Sequence, residues 1–231
     1  MTAVRAPFRH VETWVFDLDN TLYPASCNLF AQIDERMTTY VSEFLSLSRD
    51  DARALQKSYY RSHGTTLNGL MAHNGADPQH YLAYVHDIDL SGVPPSPELS
   101  EALSRLPGRK IVYTNGPHRH AMRVIERLGV AAQFAAIYDI TASGFDPKPS
   151  RGALEGFLGA HRIAGARAAM FDDIARNLVP AHEAGMTTIW MRNDSPWSKQ
   201  GPDYPRAEQH HIHHEAEDLT LFLASLIEEK A

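Results

Sequence analysis

This chain of 231 residues is short of three things. It has one cysteine, Cys27, so no disulfide can form within it, and that usage suits a reducing compartment. Basic residues are outnumbered: 22 lysines and arginines stand against 28 aspartates and glutamates, a net charge of −6. Such a balance gives no field to attract a polyphosphate backbone, which argues against nucleic acid as a partner but leaves room for a small anion held by local positive charge. Long apolar runs are missing as well. No stretch approaches the roughly 20 residues that span a bilayer, and the opening MTAVRAPFRHVETWVFD lacks the apolar run of a secretory signal. The expectation is a soluble, cytoplasmic protein with no membrane partner and an oligomeric state that the sequence does not specify.

What is present is an alternation. Short apolar runs at 13–16, 111–113, 135–138, 168–171 and 187–191 each end in polar or glycine-containing turns, and most lead into a stretch of helical period. Met122, Ile125 and Leu128 fall three apart before Gly129, and Leu154, Phe157, Leu158 and His161 repeat the spacing. Strand alternating with helix predicts an α/β fold with a parallel sheet covered by helices on both faces. Ligands bind such sheets at the carboxyl ends of the strands.

The alternation stops between Tyr23 and Ser91. Leu29, Ile33, Met37, Val41, Phe44 and Leu45 follow an amphipathic helical spacing, and HYLAYVHDI repeats it more briefly. We expect an inserted helical domain over 23–91, closed by the proline-rich SGVPPSPELS, and a core domain made of 1–22 and 92–231, with a helix over 98–106. A helical insert just beyond the first strand is expected to act as a lid over a site.

The strand ends carry the chemistry. In VFDLDNTLYP an extended chain points Asp17 and Asp19 the same way, a few ångströms apart, where like charges repel and raise each other's pKa. Thr114 and Asn115 end the second run, Lys148 lies in DPKPS, and Asp172 and Asp173 end the run before IARN. Carboxylates, a lysine, a hydroxyl and turn amides make little sense as core. They suit a hard cation and a phosphate, because Mg²⁺ takes oxygen ligands from one or two carboxylates and completes its shell with water and substrate oxygens.

In this order the motifs resemble those of the haloacid dehalogenase superfamily: DLDNT matches its first motif, Thr114 its second, Lys148 its third, and the Asp172–Asp173 pair with Asn177 its acidic fourth. The resemblance covers almost the whole chain and implies a Rossmann-like core with a helical cap of the C1 type. It implies that Asp17 is a nucleophile forming an aspartyl phosphate, and that Asp19 protonates the leaving alkoxide and then activates water. It further implies that Thr114, the Asn115 amide and Lys148 bind the phosphoryl oxygens. Mg²⁺, for which Mn²⁺ could substitute, would be held by Asp17, the backbone carbonyl of Asp19 and Asp173, with Asp172 and Asn177 orienting metal-bound water. Many relatives have Gly where Asp172 stands and Asp where Asn177 stands, so the metal shell is where this chain departs from the pattern.

The LYP after the first motif, FDDIARNLVPAHEAG and HGTTLNGLM look like the pyrimidine 5'-nucleotidase branch, which implies a nucleoside monophosphate such as UMP or CMP as substrate. The stretch GTTLNGL reads as a polar turn between cap helices, with Thr65, Thr66 and Asn68 offered to a ribose or base edge. A sugar-phosphate or phosphoglycolate phosphatase and a catalytically silent binding protein of the same fold are the other readings. Asp19 speaks against a dehalogenase, whose branch usually lacks that second acid. His118 and His120 follow the TNG turn, either near the phosphate or, as we expect, on a helix surface. Cys27, Tyr59 and Tyr60 read as cap packing, and Pro180 as a late helix start or a kink. QHHIHHEAEDLTLFL resembles a transition-metal tract but reads better as a short edge strand around Ile212 leading into a final helix over 216–228.

Overall fold

The computed structural model describes residues 3–194 and 210–228. The chain forms two compact units, one of Met1–Cys27 with Val93–Ala231 and the other of Asn28–Gly92.

The first unit is built on a six-stranded sheet, every strand parallel to its neighbours, in the order β4 (Ala136–Tyr138), β3 (Arg109–Tyr113), β2 (Thr13–Phe16), β5 (Ala168–Asp172), β6 (Thr187–Met191), β7 (His214–Ala216). All of β2 and β5 is buried, as is β3 after Arg109. Strands covered on both faces can be apolar at every position, which is why they read as runs rather than alternations. Their side chains interlock: Phe16 stacks on Phe171 with ring centroids 4.7 Å apart, and Tyr113 on Phe157 at the same distance. Trp14 satisfies its indole N–H on the carbonyl of Pro107 at 2.7 Å.

Helices α5 (Pro97–Arg105), α6 (His118–Leu128), α7 (Arg151–His161), α8 (Leu178–Glu183) and α9 (Leu219–Leu226) connect or follow the strands. Helix α6 buries Ala121, Val124, Ile125 and Leu128 on one face and ends at Gly129, whose φ of +77° suits a residue without a Cβ. Ser150 caps α7 by accepting from the N–H of Ala153, and Asp218 caps α9 from Leu221. Pro180 is the third residue of α8, in the first turn, where the missing N–H costs nothing; the helix starts late rather than kinking. The last helix is shorter than 216–228. Ile227–Glu228 is a strand, β8, antiparallel to β1 (Ala3–Val4), a pairing too short to leave a periodic signal.

The connection order positions a site. From β2 the chain moves to β3 and β4 on one side, then returns to β5, β6 and β7 on the other. At such a switch point the loops leaving adjacent strands run in opposite directions and open a crevice at the strands' carboxyl ends. Asp17 follows β2, Thr114 follows β3, and Asp172 and Asp173 lie at the end of β5, so the crevice is lined by these residues.

The second unit is four helices, α1 (Leu29–Leu45), α2 (Arg49–His63), α3 (Thr66–Asn74) and α4 (Pro78–Val85). Ile33, Val41, Ala52, Leu67, Leu70, Tyr81, Leu82 and Val85 make its core. A buried polar knot ties α1 to α2: Asp34 accepts from Gln56 Nε2 at 2.7 Å and from Lys57 Nζ at 2.9 Å, and Thr38 Oγ1 donates to Gln56 Oε1 at 2.6 Å. GTTLNGL corrects the reading given above, since most of it is helix rather than turn. Thr65 is the N-cap of α3, accepting from the N–H of Asn68 at 3.1 Å, while Leu67 and Leu70 bury behind it. Gly69 lets α3 approach α2, because a Cβ there would lie 2.2 Å from Cγ of Tyr59.

Candidate active site

Lys148 is the hub. Its chain enters from the loop after β4 and its ammonium is fully enclosed, donating to Asp17 Oδ1 at 2.7 Å, Asp172 Oδ2 at 2.7 Å and the carbonyl of Tyr113 at 3.0 Å. Burial alone would push this amine down, but the two facing carboxylates more than offset that and hold its pKa above the usual range. The lysine's backbone is fixed by the Asn115 side chain, whose Oδ1 accepts from the Lys148 N–H at 2.8 Å and whose Nδ2 donates to the Lys148 carbonyl at 3.2 Å. Thr114 is buried beside it and accepts from the N–H of Gly116 at 2.9 Å.

Two carboxylates pair with this one cation and a third, Asp173, lies close to them. Asp17, Asp172 and Asp173 each direct an oxygen so that the set lies within 4.8 Å, and all three residues are buried. Asp172 is the most committed, with Oδ1 accepting from the N–H of Ile174 at 2.9 Å and from Asn177 Nδ2 at 3.0 Å while Oδ2 takes Lys148. Asp173 accepts from Asn193 Nδ2 at 3.3 Å, and Thr21 Oγ1 approaches Asp17 Oδ2 at 3.4 Å. Burial, outweighing the attraction of Lys148, lifts the pKa of Asp17 to about 7, with Asp172 and Asp19 adding repulsion. Burial and the Asp17 charge likewise push Asp173 well above the carboxylate range. The donor set is therefore all oxygen, compact and short of positive charge, and it fits a divalent cation: one more pair of positive charges would balance the carboxylates that Lys148 leaves uncompensated.

Asp19 is held apart from that set. Tyr23 donates to its Oδ1 at 2.6 Å and His120 Nε2 lies 2.9 Å from the same oxygen. His120 is thus a correction to the expectation of a surface histidine: it is 1% exposed. It is the third residue of α6, and side chains in a helix lean toward its N-terminus, here toward the strand ends. Tyr23, Asn193 and Asp139 are the other residues that motif reading passed over. Asp139 accepts from the N–H groups of His118 at 2.8 Å and Ala142 at 2.9 Å, pinning the start of α6 to the loop after β4.

Thr65, Thr66 and Asn68 lie in the helical unit and are held within it. The buried Thr66 hydroxyl donates to the Gln56 carbonyl at 3.2 Å, and Asn68 Nδ2 reaches the His63 carbonyl at 3.4 Å; Thr65 and Asn68 stay partly exposed. In the histidine tract Gln209 falls outside the described residues. His211 is buried with Nε2 3.0 Å from the Ala175 carbonyl, and His213 Nδ1 accepts from the N–H of Thr188 at 3.0 Å, so both pack against the sheet edge. The strand of this segment is β7, two residues beyond Ile212. Among the described residues, the aspartate trio is the one group of three or more ligand-type side chains spaced for a metal ion.

The doubly wound sheet with an acid–lysine cluster at its switch point defines a Rossmann-like α/β core that carries its candidate site at the strand ends. The family model for haloacid dehalogenase-like hydrolases matches residues 11–185, and the chain belongs to that family. Over 136 residues it is 28% identical to Phosphate metabolism protein 8 of Saccharomyces cerevisiae, a match covering 54% of this chain and 42% of that protein. The chain thus matches less than half the length of that curated relative. Among solved structures, it resembles a HAD phosphatase from Thermococcus onnurineus with a TM-score of 0.61 at 15% identity, over 94% of this chain and 98% of that one. It resembles the HAD-hydrolase YfnB of Bacillus subtilis, solved bound to magnesium, with a TM-score of 0.60 at 16% identity, over 94% and 98% of the two chains. At these identities the likeness is one of fold. Among the described residues, no helix is long and apolar enough to cross a membrane.

Proposed function

We propose that this hydrolase is a Mg²⁺-dependent phosphomonoesterase in which Asp17 is the nucleophile. The observation that carries the reading is the Asp17–Lys148–Asp172 chain, closed by Asp173, at the switch point. Asp17, Asp173 and the backbone carbonyl of Asp19 would hold the metal, with Asp172 set behind them by Asn177, Ile174 and Lys148. Bound there, the ion supplies charge neutralisation of the carboxylates and Lewis acidity toward a phosphoryl oxygen.

Lys148 and the turn carrying Thr114 and Asn115 bind the non-bridging oxygens, matching the charge that develops as phosphorus transfers. An Asp17 oxygen forms a bond to phosphorus as the ester P–O bond breaks, and Asp19 gives its proton to the departing alkoxide. Asp19, now ionised, takes a proton from water as that water attacks phosphorus. Inorganic phosphate leaves and Asp17 is restored.

For substrate, a pyrimidine nucleoside 5'-monophosphate is supported by the likeness of LYP, FDDIARNLVPAHEAG and HGTTLNGLM to the nucleotidase branch. Of Thr65, Thr66 and Asn68, the first and last reach solvent and are the proposed readers of ribose or base; Thr66 holds α3 to α2. A sugar phosphate or phosphoglycolate is the other substrate class. Phosphate release with Mg²⁺ from UMP, CMP, dUMP, AMP, GMP and several sugar phosphates tests the reading. Preference for the pyrimidine monophosphates supports it, while sugar phosphates or purines turning over fastest refute the substrate and spare the chemistry. Silence on every ester refutes both and favours a binding protein. Asn68→Ala and Thr65→Ala should raise KM for the nucleotide and leave a small aryl phosphate little changed; equal effects on both would remove the cap residues from recognition.

A further inference from the structure

Asp19 is anchored in a way that the metal cluster does not require. Asp17, Asp172 and Asp173 converge, whereas the Asp19 carboxylate lies outside that group and is 14% exposed. Its Oδ1 meets two buried partners from separate parts of the chain: Tyr23 Oη, four residues on, at 2.6 Å, and His120 Nε2, 101 residues on, at 2.9 Å. Tyr23 and His120 are each 1% exposed. Neither residue type is a common filler for such a place, since burying a phenol and an imidazole costs free energy unless each finds a partner.

We propose that Tyr23 and His120 are positioning residues that fix the Asp19 carboxyl plane for proton transfer to the leaving oxygen, an inference that rests on the phosphomonoesterase reading above. One hydrogen bond leaves a carboxylate free to turn about its terminal torsion, which is broad. Two contacts reaching the same oxygen from different directions stop that rotation. Tyr23 donates to Oδ1, and His120 does the same in the tautomer that carries its proton on Nε2. Toward an ionised carboxylate the Tyr23 hydroxyl, 2.6 Å from Oδ1, can act only as a donor. The His120 imidazole is carried by the first turn of α6, whose start Asp139 pins, so its position is set by the fold rather than by substrate.

The consequence is a dependence on the leaving group. In phosphoenzyme formation the Asp17–phosphorus bond forms and the ester bond breaks; a nitrophenolate departs without a proton, whereas an alkoxide must receive one from Asp19. The test compares kcat/KM for p-nitrophenyl phosphate with that for the best alkyl monophosphate of the panel, because kcat/KM covers steps only as far as phosphoenzyme formation. Wild type, Tyr23→Phe, His120→Ala and His120→Gln are measured with Mg²⁺, each checked for folding by its thermal transition.

The alkyl-to-aryl ratio of kcat/KM should fall about tenfold or more in Tyr23→Phe and in His120→Ala. His120→Gln, whose amide nitrogen reaches the place of Nε2, should restore most of it. Tyr23→Phe removes a single oxygen and carries the test alone if His120→Ala does not fold. An equal loss on both esters, or no change in the ratio, overturns the positioning role while leaving the phosphatase reading intact. A wild-type protein inert on both esters removes that reading and this proposal together.

Discussion

Replacing Asp17 by Asn should stabilise the metal-free protein, and by an amount that depends on pH. Folding raises the Asp17 pKa from its ordinary value of 3.8 to about 7, so the native state holds this proton more tightly than the unfolded chain does. The sign follows: the group favours the folded state fully below pH 3.8, and that advantage is lost as pH rises to about 7. At about 1.4 kcal/mol for each pH unit, the loss amounts to about 4 kcal/mol by pH 8. Asn is neutral throughout, and its oxygen can still accept from Lys148, whose ammonium lies 2.7 Å from Asp17 Oδ1. Relaxation and water entry reduce the full figure, so Asp17→Asn in chelator at pH 8 should gain about 2–4 kcal/mol. For a chain of this size that is a rise of roughly 5–15 °C in Tm, shrinking by more than half at pH 5. Thermal unfolding of both proteins at the two pH values, with chelator and with Mg²⁺, is the assay. Adding Mg²⁺ at about 100 times its Kd should stabilise wild type by about 3 kcal/mol and the variant far less. Equal Tm values in chelator at pH 8, or a difference that does not change with pH, would refute the reasoning.

Two further perturbations separate the cation from the packing. Lys148→Met keeps the volume but leaves buried carboxylates without their partner, and should cost about 3–5 kcal/mol in chelator at pH 8 together with nearly all phosphatase activity; unfolding in denaturant checks the first and phosphate release the second. Gly69→Ala places a Cβ 2.2 Å from the Tyr59 ring, near its root rather than its flexible end, and should destabilise the helical unit by about 1–3 kcal/mol, read as faster amide exchange in α2 and α3 with exchange in β2 and β5 unchanged.

The sheet is legible in the chain because its inner strands are buried on both faces: the runs at 13–16 and 187–191 coincide with β2 and β6, and the others differ from the observed strands by a residue or two. Burial on both faces favours apolar residues at successive positions, a pattern that surface loops rarely show. The short β1–β8 pairing has no such signature, since two-residue strands have no period to read. GTTLNGL misleads because Thr, Asn and Gly are turn formers by composition, whereas here Thr65 caps a helix and Gly69 sits inside one where two helices touch. Asp17, Lys148 and Asp172 are visible as strand-end residues of a type that a core would reject, and the structure brings them together. Tyr23 and His120 are not resolved at that level, nor is Asn193: the sequence leaves His120 between the phosphate and a helix surface. An aromatic after a turn or a histidine in a helix is ordinary, and only the direction in which α6 leans its first turn and the folding of the loop after β2 bring the first two to Asp19. Asp139 is likewise silent in sequence, because it acts on backbone N–H groups that carry no residue signal.

The most direct measurement is the search for a phosphoryl group on the protein. Wild type would be mixed with its best monophosphate and Mg²⁺, quenched in acid within a turnover, digested, and the peptide containing Asp17 weighed. The account predicts the mass of one added phosphoryl group on that peptide, its loss on alkaline treatment, and neither adduct nor phosphate release in Asp17→Asn. Phosphate release from wild type with Asp17 unmodified, matched by comparable release from Asp17→Asn, would contradict it.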